Sequence, residues 1–230
     1  MTRSNERYTV LDAPQRSPEW RQSRAGVATA SRAVDILGRL KTGLPNQAHQ
    51  DYYTQLIVEI LTGEPQDDIW QTVHQKRGLD CEQFAIRDVA LSTGWDIDRP
   101  GFLMMRDCAA GCSPDGMVGT DTVVEVKVLK STNHMKLIRD AGGLRGNVPV
   151  AYLPQARHLL WVTGADALEF AAWDDRFPEG LRIYRATLLA RDAGLPEYDS
   201  AVRTFVDCVA AEAARLMDMS DNLEVSGYGI

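Results

Sequence analysis

The sequence predicts an α/β (α+β) fold in which a central mixed β-sheet is flanked by helices. Three observations carry this. Apolar residues recur with helical spacing as far as Thr93. Between Trp95 and Val128 the period shortens to two, with Pro-Gly and Gly-rich turns between the runs. Beyond Val128 helical and strand-like stretches alternate, the pattern of helices packed on a sheet. The chain has 230 residues, 44% hydrophobic and 25% charged, the proportions of a globular domain that builds its own core. No repeat, low-complexity tract or Gly/Ser linker interrupts it, so one domain over 1–230 is expected, with its core at about 18–190 and a closing helix at about 196–219.

The elements follow in order. Ser17-Pro18-Glu19-Trp20 reads as a helix start, with Ser17 as N-cap and Pro18 at the first helical position. Ser31 is placed to cap a second helix with Ala33, Ile36, Leu37 and Leu40 on one face. Tyr53, Leu56, Ile57, Ile60 and Leu61 form a third stripe, closed by Gly63 and Pro65. A longer helix runs from Gln75 or Leu79 to Thr93 and stops at Gly94. Strands are expected over 95–98, 102–105 and 123–128, separated by Pro100-Gly101 and a turn region over 111–119. Then come a helix near 130–141, a glycine-bearing loop over 142–146, a helix over 154–162 and strands over 168–173 and 182–189. Val202, Phe205, Val206, Val209, Ala210 and Ala213 mark the closing amphipathic helix.

Composition removes several classes of function. No apolar run approaches the ~20 residues of a membrane span, and the polar stretch 1–16 lacks the apolar core of a secretory leader. Four cysteines (Cys81, Cys108, Cys112, Cys208) with a single C-x3-C spacing make neither a disulfide framework nor a zinc site, and a reducing cytoplasmic location is expected. The net charge of −7, from 25 basic and 32 acidic side chains, offers no overall basic footprint for nucleic acid. Any such contact has to come from a local patch.

The segment richest in chemistry is Cys112-Ser113-Pro114-Asp115-Gly116, followed by Val123-Val124-Glu125-Val126-Lys127-Val128. On a strand, Val124, Val126 and Val128 share one face and Glu125 and Lys127 the other, the latter pair ~6.5 Å apart. Asp115, in a Pro-Asp-Gly turn, can reach Glu125 if the two segments are neighbours. Two carboxylates and a backbone carbonyl make a hard oxygen site for Mg²⁺ or Mn²⁺, and a lysine beside a metal-bound water can help it attack a phosphodiester. A Glu-x-Lys on a solvated strand face is the plain alternative. Glu82 lies on the helical face of Ala85, Ile86 and Val89, where a carboxylate needs a partner unless the helix start leaves it wet. Gln155 leads the face of Leu159 and Val162 and suits either a phosphate or water contact or a cap.

With Asp115 ten residues before Glu125-Val126-Lys127, the sequence resembles the core motif of the PD-(D/E)xK nuclease superfamily. More narrowly, it resembles the family of lambda exonuclease and the YqaJ-like viral recombinases (alkaline exonucleases). Trp20, Arg24, Gly26, Thr29, Ala30 and Ser31 match that family's N-terminal block, Gly78-Leu79-Asp80-Cys81-Glu82 its helix glutamate block, and Ala151-Tyr152-Leu153-Pro154-Gln155 with Trp161-Val162-Thr163 the block after the core. Segments 41–50 and 140–148 match no block.

The resemblance implies a restriction-endonuclease-like core and a Mg²⁺-dependent 5′→3′ exonuclease, with Mn²⁺ as a substitute. It would act on double-stranded DNA ends, leave 3′ overhangs for recombination by strand annealing, and work as a homotrimeric ring beside a single-strand annealing protein. It implies a metal held by Asp115, Glu125, the Val126 carbonyl and Glu82, with Asp115, Glu125, Glu82 and Lys127 catalytic and Lys127 activating the water. Arg24, Ser31, Ser113 and Gln155 would bind the 5′-phosphate. Neither an iron–sulfur cluster nor a nucleotide cofactor is expected. Lys41, Arg39, Lys130, Lys136, Arg139 and Arg145 become candidates for lining a DNA channel. Two other readings use the same scaffold: a structure- or site-specific endonuclease, and a non-catalytic protein that binds DNA ends.

Overall fold

A computed structural model describes residues 4–66 and 73–225. Strands β1 (Tyr8–Leu11), β2 (Ala28–Thr29), β3 (Phe102–Met105) and β4 (Ala110–Cys112) form a sheet in the order β1-β3-β4-β2. Strands β5 (Gly116–Val118), β6 (Thr122–Val128), β7 (Arg145–Gly146), β8 (Ala167–Trp173) and β9 (Ile183–Leu189) form a second, in the order β5-β6-β8-β9-β7. Both sheets mix parallel and antiparallel pairs. The α/β class is therefore as expected, but the single central sheet divides in two at the Ser113-Pro114-Asp115 turn between β4 and β5.

Helices α1 (Pro18–Gln22), α2 (Ala33–Ile36), α3 (Gln47–Thr62), α4 (Val73–Thr93), α5 (Ser131–Ala141), α6 (Leu153–Thr163) and α7 (Leu195–Val225) complete the chain. Ser17 caps α1 as its sequence predicts, its side chain accepting the Trp20 N–H at 3.1 Å. Gly63, at φ 70°, ends α3 in the left-handed conformation that glycine tolerates best.

β6 and β8 form the parallel centre of the second sheet, with Glu125 opposite Phe170, Val126 opposite Ala171 and Lys127 opposite Ala172. Val124 and Val126, with Ala171 and Trp173 of β8, pack under Ala85, Ile86 and Val89 of α4. The opposite face of β6 meets α6. The main core is continuous from Tyr8 of β1 to Ala213 of α7 and includes Leu159, Leu160 and Val162 of α6 with Leu168 and Phe170 of β8. The two faces of β6 thus have different neighbours: the apolar face of α4 on one side, and the first turn of α6 with Gln155 on the other.

Several sequence expectations are corrected. Segment 95–98 is no strand; it contributes one isolated bridge, Asp98 to Met117. The turn region 111–119 contains β5 and the end of β4. β1, in the stretch read only as polar, is a true strand with Tyr8 buried. Ser31 caps no helix: it lies within the 3-10 turn Ala30–Arg32, and α2 begins after Arg32 without a side-chain cap. α2 ends at Ile36, so Leu40 falls outside it and is exposed. In α3 the buried stripe is Tyr52, Leu56 and Ile57, and Leu61 is exposed. Tyr52 takes the inward position by donating toward the α1–β2 loop, its hydroxyl also accepting the Thr29 N–H at 3.0 Å.

Candidate active site

The Pro-Asp-Gly turn and β6 meet at one edge of the second sheet. Gly116 starts β5 opposite Val124, and there a Cβ would run into the Ile97 side chain, so only glycine lets the turn close against the 95–98 segment. β5 ends its pairing at Gly116, and the next free edge position of β6 is Val126. Its N–H is taken by Asp115 Oδ2 at 2.7 Å. A strand residue's N–H and C=O point to the same edge, so the Val126 carbonyl faces the same side as the Asp115 carboxylate.

Glu125 and Lys127 project from the opposite face to Val124 and Val126, toward α6. Glu125 is 3% exposed. Its Oε1 accepts from the Lys127 ammonium and from Gln155 Nε2, the latter at 2.6 Å. Gln155 stands in the first turn of α6, where Leu159 and Val162 fix the helix face in the core. Ala172 beside Lys127 leaves the ammonium room, and the Tyr152 ring lies 5.8 Å from Nζ. Tyr152 is itself held by stacking on Phe170 at 5.2 Å.

The electrostatics are those of a crowded acid site. Burial, then the charges of Glu125 and Glu82, hold the Asp115 carboxyl well above the usual carboxylate range; Lys127 and the Val126 N–H act the other way. Burial works against the Lys127 ammonium, but Glu125 and Asp115 outweigh it and raise its pKa. Desolvated carboxylates close together are costly, and a dication offsets that cost. The donor set of Asp115, Glu125 and the Val126 carbonyl is all oxygen, which suits Mg²⁺ or Mn²⁺.

Glu82 is near enough to act on Asp115 but is engaged elsewhere. Its carboxylate pairs with Arg16 Nη2 at 3.2 Å and Arg99 Nη2 at 2.5 Å. Among the described residues, no three His, Cys, Asp or Glu side chains group as a metal site. The structure therefore brings Asp115, Glu125, Val126, Lys127 and Gln155 together and leaves Glu82 at the margin.

The expected phosphate-binding residues divide. Ser113 Oγ accepts the Trp20 indole N–H at 2.9 Å, and the Arg24 guanidinium lies over the Trp20 ring, 4.0 Å from its centroid. Arg24 is thereby tied to the turn that carries Asp115. Gln155 joins Glu125 instead of Arg24. Ser31 is exposed, its Oγ 3.5 Å from Thr29 Oγ1. Arg32, which the sequence did not single out, lines a narrow cleft with Arg24 and Thr29; it stacks on Tyr52 and bonds Gln55 Oε1 at 2.8 Å. Its adjacency to the Thr29-Ala30-Ser31 block was the available signal. The channel candidates Arg39, Lys41, Lys130, Lys136, Arg139 and Arg145 lie at least partly in solvent.

A family model for the YqaJ-like viral recombinase domain matches residues 19–166. No curated protein matches the chain. Among solved structures, an alkaline exonuclease (LHK-Exo) from Laribacter hongkongensis is similar over 90% of this chain and 100% of its own, at 26% identity and TM-score 0.78. LHK-Exo in complex with dAMP is similar over the same shares at 25% identity and TM-score 0.78. A phage related exonuclease from Haemophilus somnus 129PT shares the fold, at 14% identity and TM-score 0.54, over 81% of this chain and 96% of its own. The matched span takes in α1, the Pro-Asp-Gly turn, β6 and α6, and by it the chain belongs to the YqaJ-like viral recombinase family, a family of DNA-hydrolysing nucleases.

Proposed function

We propose that the protein is a Mg²⁺-dependent exonuclease that enters double-stranded DNA at a 5′-phosphorylated end, degrades that strand 5′→3′ and leaves a 3′ overhang for an annealing protein. The observation that carries the reading is the convergence of Asp115, the Val126 backbone and the Glu125–Lys127 pair at one sheet edge. Similarity to an alkaline exonuclease over nearly the whole chain supports it, as does a related structure holding a mononucleotide, dAMP.

When bound, Mg²⁺ would polarise a phosphoryl oxygen and lower the pKa of a water. Asp115, Glu125 and the Val126 carbonyl would hold it, with Glu82 available from the side. The residues of the chain do the rest. Gln155 fixes the Glu125 carboxylate, leaving its second oxygen for the metal. Lys127, kept protonated by its acid neighbours, stabilises charge on the attacking oxygen and on the phosphoryl group. Trp20 and Ser113 carry the Arg24 guanidinium, whose planar fork of donors suits a terminal phosphate.

A ring of three copies would enclose duplex DNA without an overall basic surface, consistent with the net charge of −7 and a working place in the bacterial cytoplasm. No helix among the described residues is long and apolar enough to cross a membrane. The test is a time course on linear duplex labelled at either end, with and without Mg²⁺, beside a closed circle. Loss of the 5′ label first, only from the linear form and only with Mg²⁺, is expected. Cutting of the circle would give the site to an endonuclease, and no strand loss with intact end binding would leave a binding protein.

A further inference from the structure

A cleft of about 590 Å³ opens beside the Pro-Asp-Gly turn, between the segment leading into α1 and the one leading into β3; Asp12, Gln15, Arg16 and Arg99 supply its polar lining. Gln15 Nε2 lies 3.5 Å from the Pro114 carbonyl, so the cleft borders the residue before Asp115. Two guanidiniums, half exposed, enter it from different parts of the chain. Both are directed onto one carboxylate, that of Glu82. Arg16 has φ 74°, the sole positive φ outside glycine among the described residues. A side chain of this size rarely occupies that region, and such strain collects at ligand-binding positions. Here it accompanies an Arg16 side chain aimed at Glu82.

The charge count explains what the arrangement can do. Arg16 and Arg99 both lean on Glu82, and with Asp12 also in the lining the two guanidiniums are formally balanced by two carboxylates. Glu82 also acts on Asp115 across the same turn. A dication held by Asp115 and Glu125 would attract Glu82 away from the arginines. The cleft would then carry a net positive charge, its two guanidiniums released from Glu82 with Asp12 alone among the lining residues to oppose them. Guanidiniums are the donors best matched to phosphate.

We infer that Arg16 and Arg99 form a binding site for an internal backbone phosphate of the DNA, held closed by Glu82 until a divalent ion draws that carboxylate toward Asp115. The inference rests on the proposed metal-dependent nuclease reading. It makes Glu82 a positioning residue that links metal occupancy to grip on the duplex, so that the enzyme holds DNA most tightly when it is loaded for hydrolysis. It also separates two phosphate sites: Arg24 for the chain end, the arginine cleft for the backbone.

The experiment measures affinity for linear duplex at several salt concentrations, with Ca²⁺ or with EDTA, using ends that carry a 5′-phosphate or a 5′-hydroxyl and checking that the duplex stays intact. Wild type is expected to bind about tenfold or more tightly with Ca²⁺. Arg16→Gln/Arg99→Gln should lose that increment equally on both kinds of end, and the slope of log affinity against log salt should become shallower by ~2, one for each guanidinium withdrawn from the phosphate backbone. Glu82→Gln should bind in EDTA nearly as well as wild type does in Ca²⁺. A double variant that matches wild type in affinity and slope overturns the inference, as does a loss confined to phosphorylated ends. Hydrolysis of the same duplex by wild type in Mg²⁺ is read in parallel: if it occurs, such a result removes the arginine site alone, and if it does not, the nuclease reading itself fails.

Discussion

The Asp115 carboxylate accepts the Val126 N–H at 2.7 Å, so the turn acid takes the place of a β-strand partner at the edge of β6. This bond sets the distance between the two acidic segments. It also gives Asp115 two separable roles, one as a hydrogen-bond acceptor and one as a negative charge.

Substitution separates them. Asp115→Asn keeps an acceptor for Val126 and removes the charge, so the fold is expected to persist while hydrolysis falls by about 10²-fold or more, the scale of removing one charged group from a reacting centre. Asp115→Ala also orphans a backbone N–H, costing about 1–3 kcal/mol, or a fall in Tm of roughly 2–12 °C for a chain of this size. Thermal melting beside a nuclease assay distinguishes the two variants.

Lys127→Ala removes the ammonium that bonds Glu125. Hydrolysis is expected to be abolished while binding to duplex ends in Ca²⁺ persists, because Gln155 still holds the Glu125 carboxylate. Parallel gel-shift and nuclease measurements check this. Failure to bind ends would mean that Lys127 grips DNA instead.

Arg24 is held over Trp20, whose indole bonds Ser113. Arg24→Ala is expected to narrow the rate ratio between 5′-phosphorylated and 5′-hydroxyl ends by about tenfold, the worth of one charge-assisted hydrogen bond, with little change in metal affinity. If wild type is already indifferent to the end group, Arg24 has no such role.

His158 lies fully buried behind the turn, its Nε2 3.1 Å from the Gly111 carbonyl and its Nδ1 2.7 Å from the Tyr198 hydroxyl. Burial lowers its pKa from 6.5 to about 4, against the raising effect of the Gly111 carbonyl. Tyr198 stays protonated, its own pKa raised by burial. The unfolded chain therefore binds a proton here that the folded one refuses between pH 6.5 and about 4, and stability falls as pH drops through that window. The full effect is about 3 kcal/mol. Denaturant melts of wild type and His158→Gln from pH 7 to 4 should show a steeper decline for wild type. Parallel curves would exclude the histidine as the cause.

The local chemistry of this site was legible because it depends on short-range spacing. The two-residue period puts Glu125 with Lys127 and Val124 with Val126 whatever the strand's neighbours are, and Pro114-Asp115-Gly116 specifies a turn wherever it lies. Helix stops such as Gly63 and Gly94 are likewise local. Strands β1, β2, β4 and β5 were not separately legible, since each is two to four residues long and exists only through its partner.

The sequence by itself determined the α/β class, the faces of β6 and the membership of Asp115, Glu125 and Lys127 in one motif. Only the tertiary structure decided that Asp115 binds the Val126 N–H, that Gln155 turns to Glu125, that Ser31 stands apart and that Arg16 and Arg99 claim Glu82. Those outcomes join residues far apart in the chain, and long side chains choose among competing partners by charge and distance, which a linear pattern does not contain.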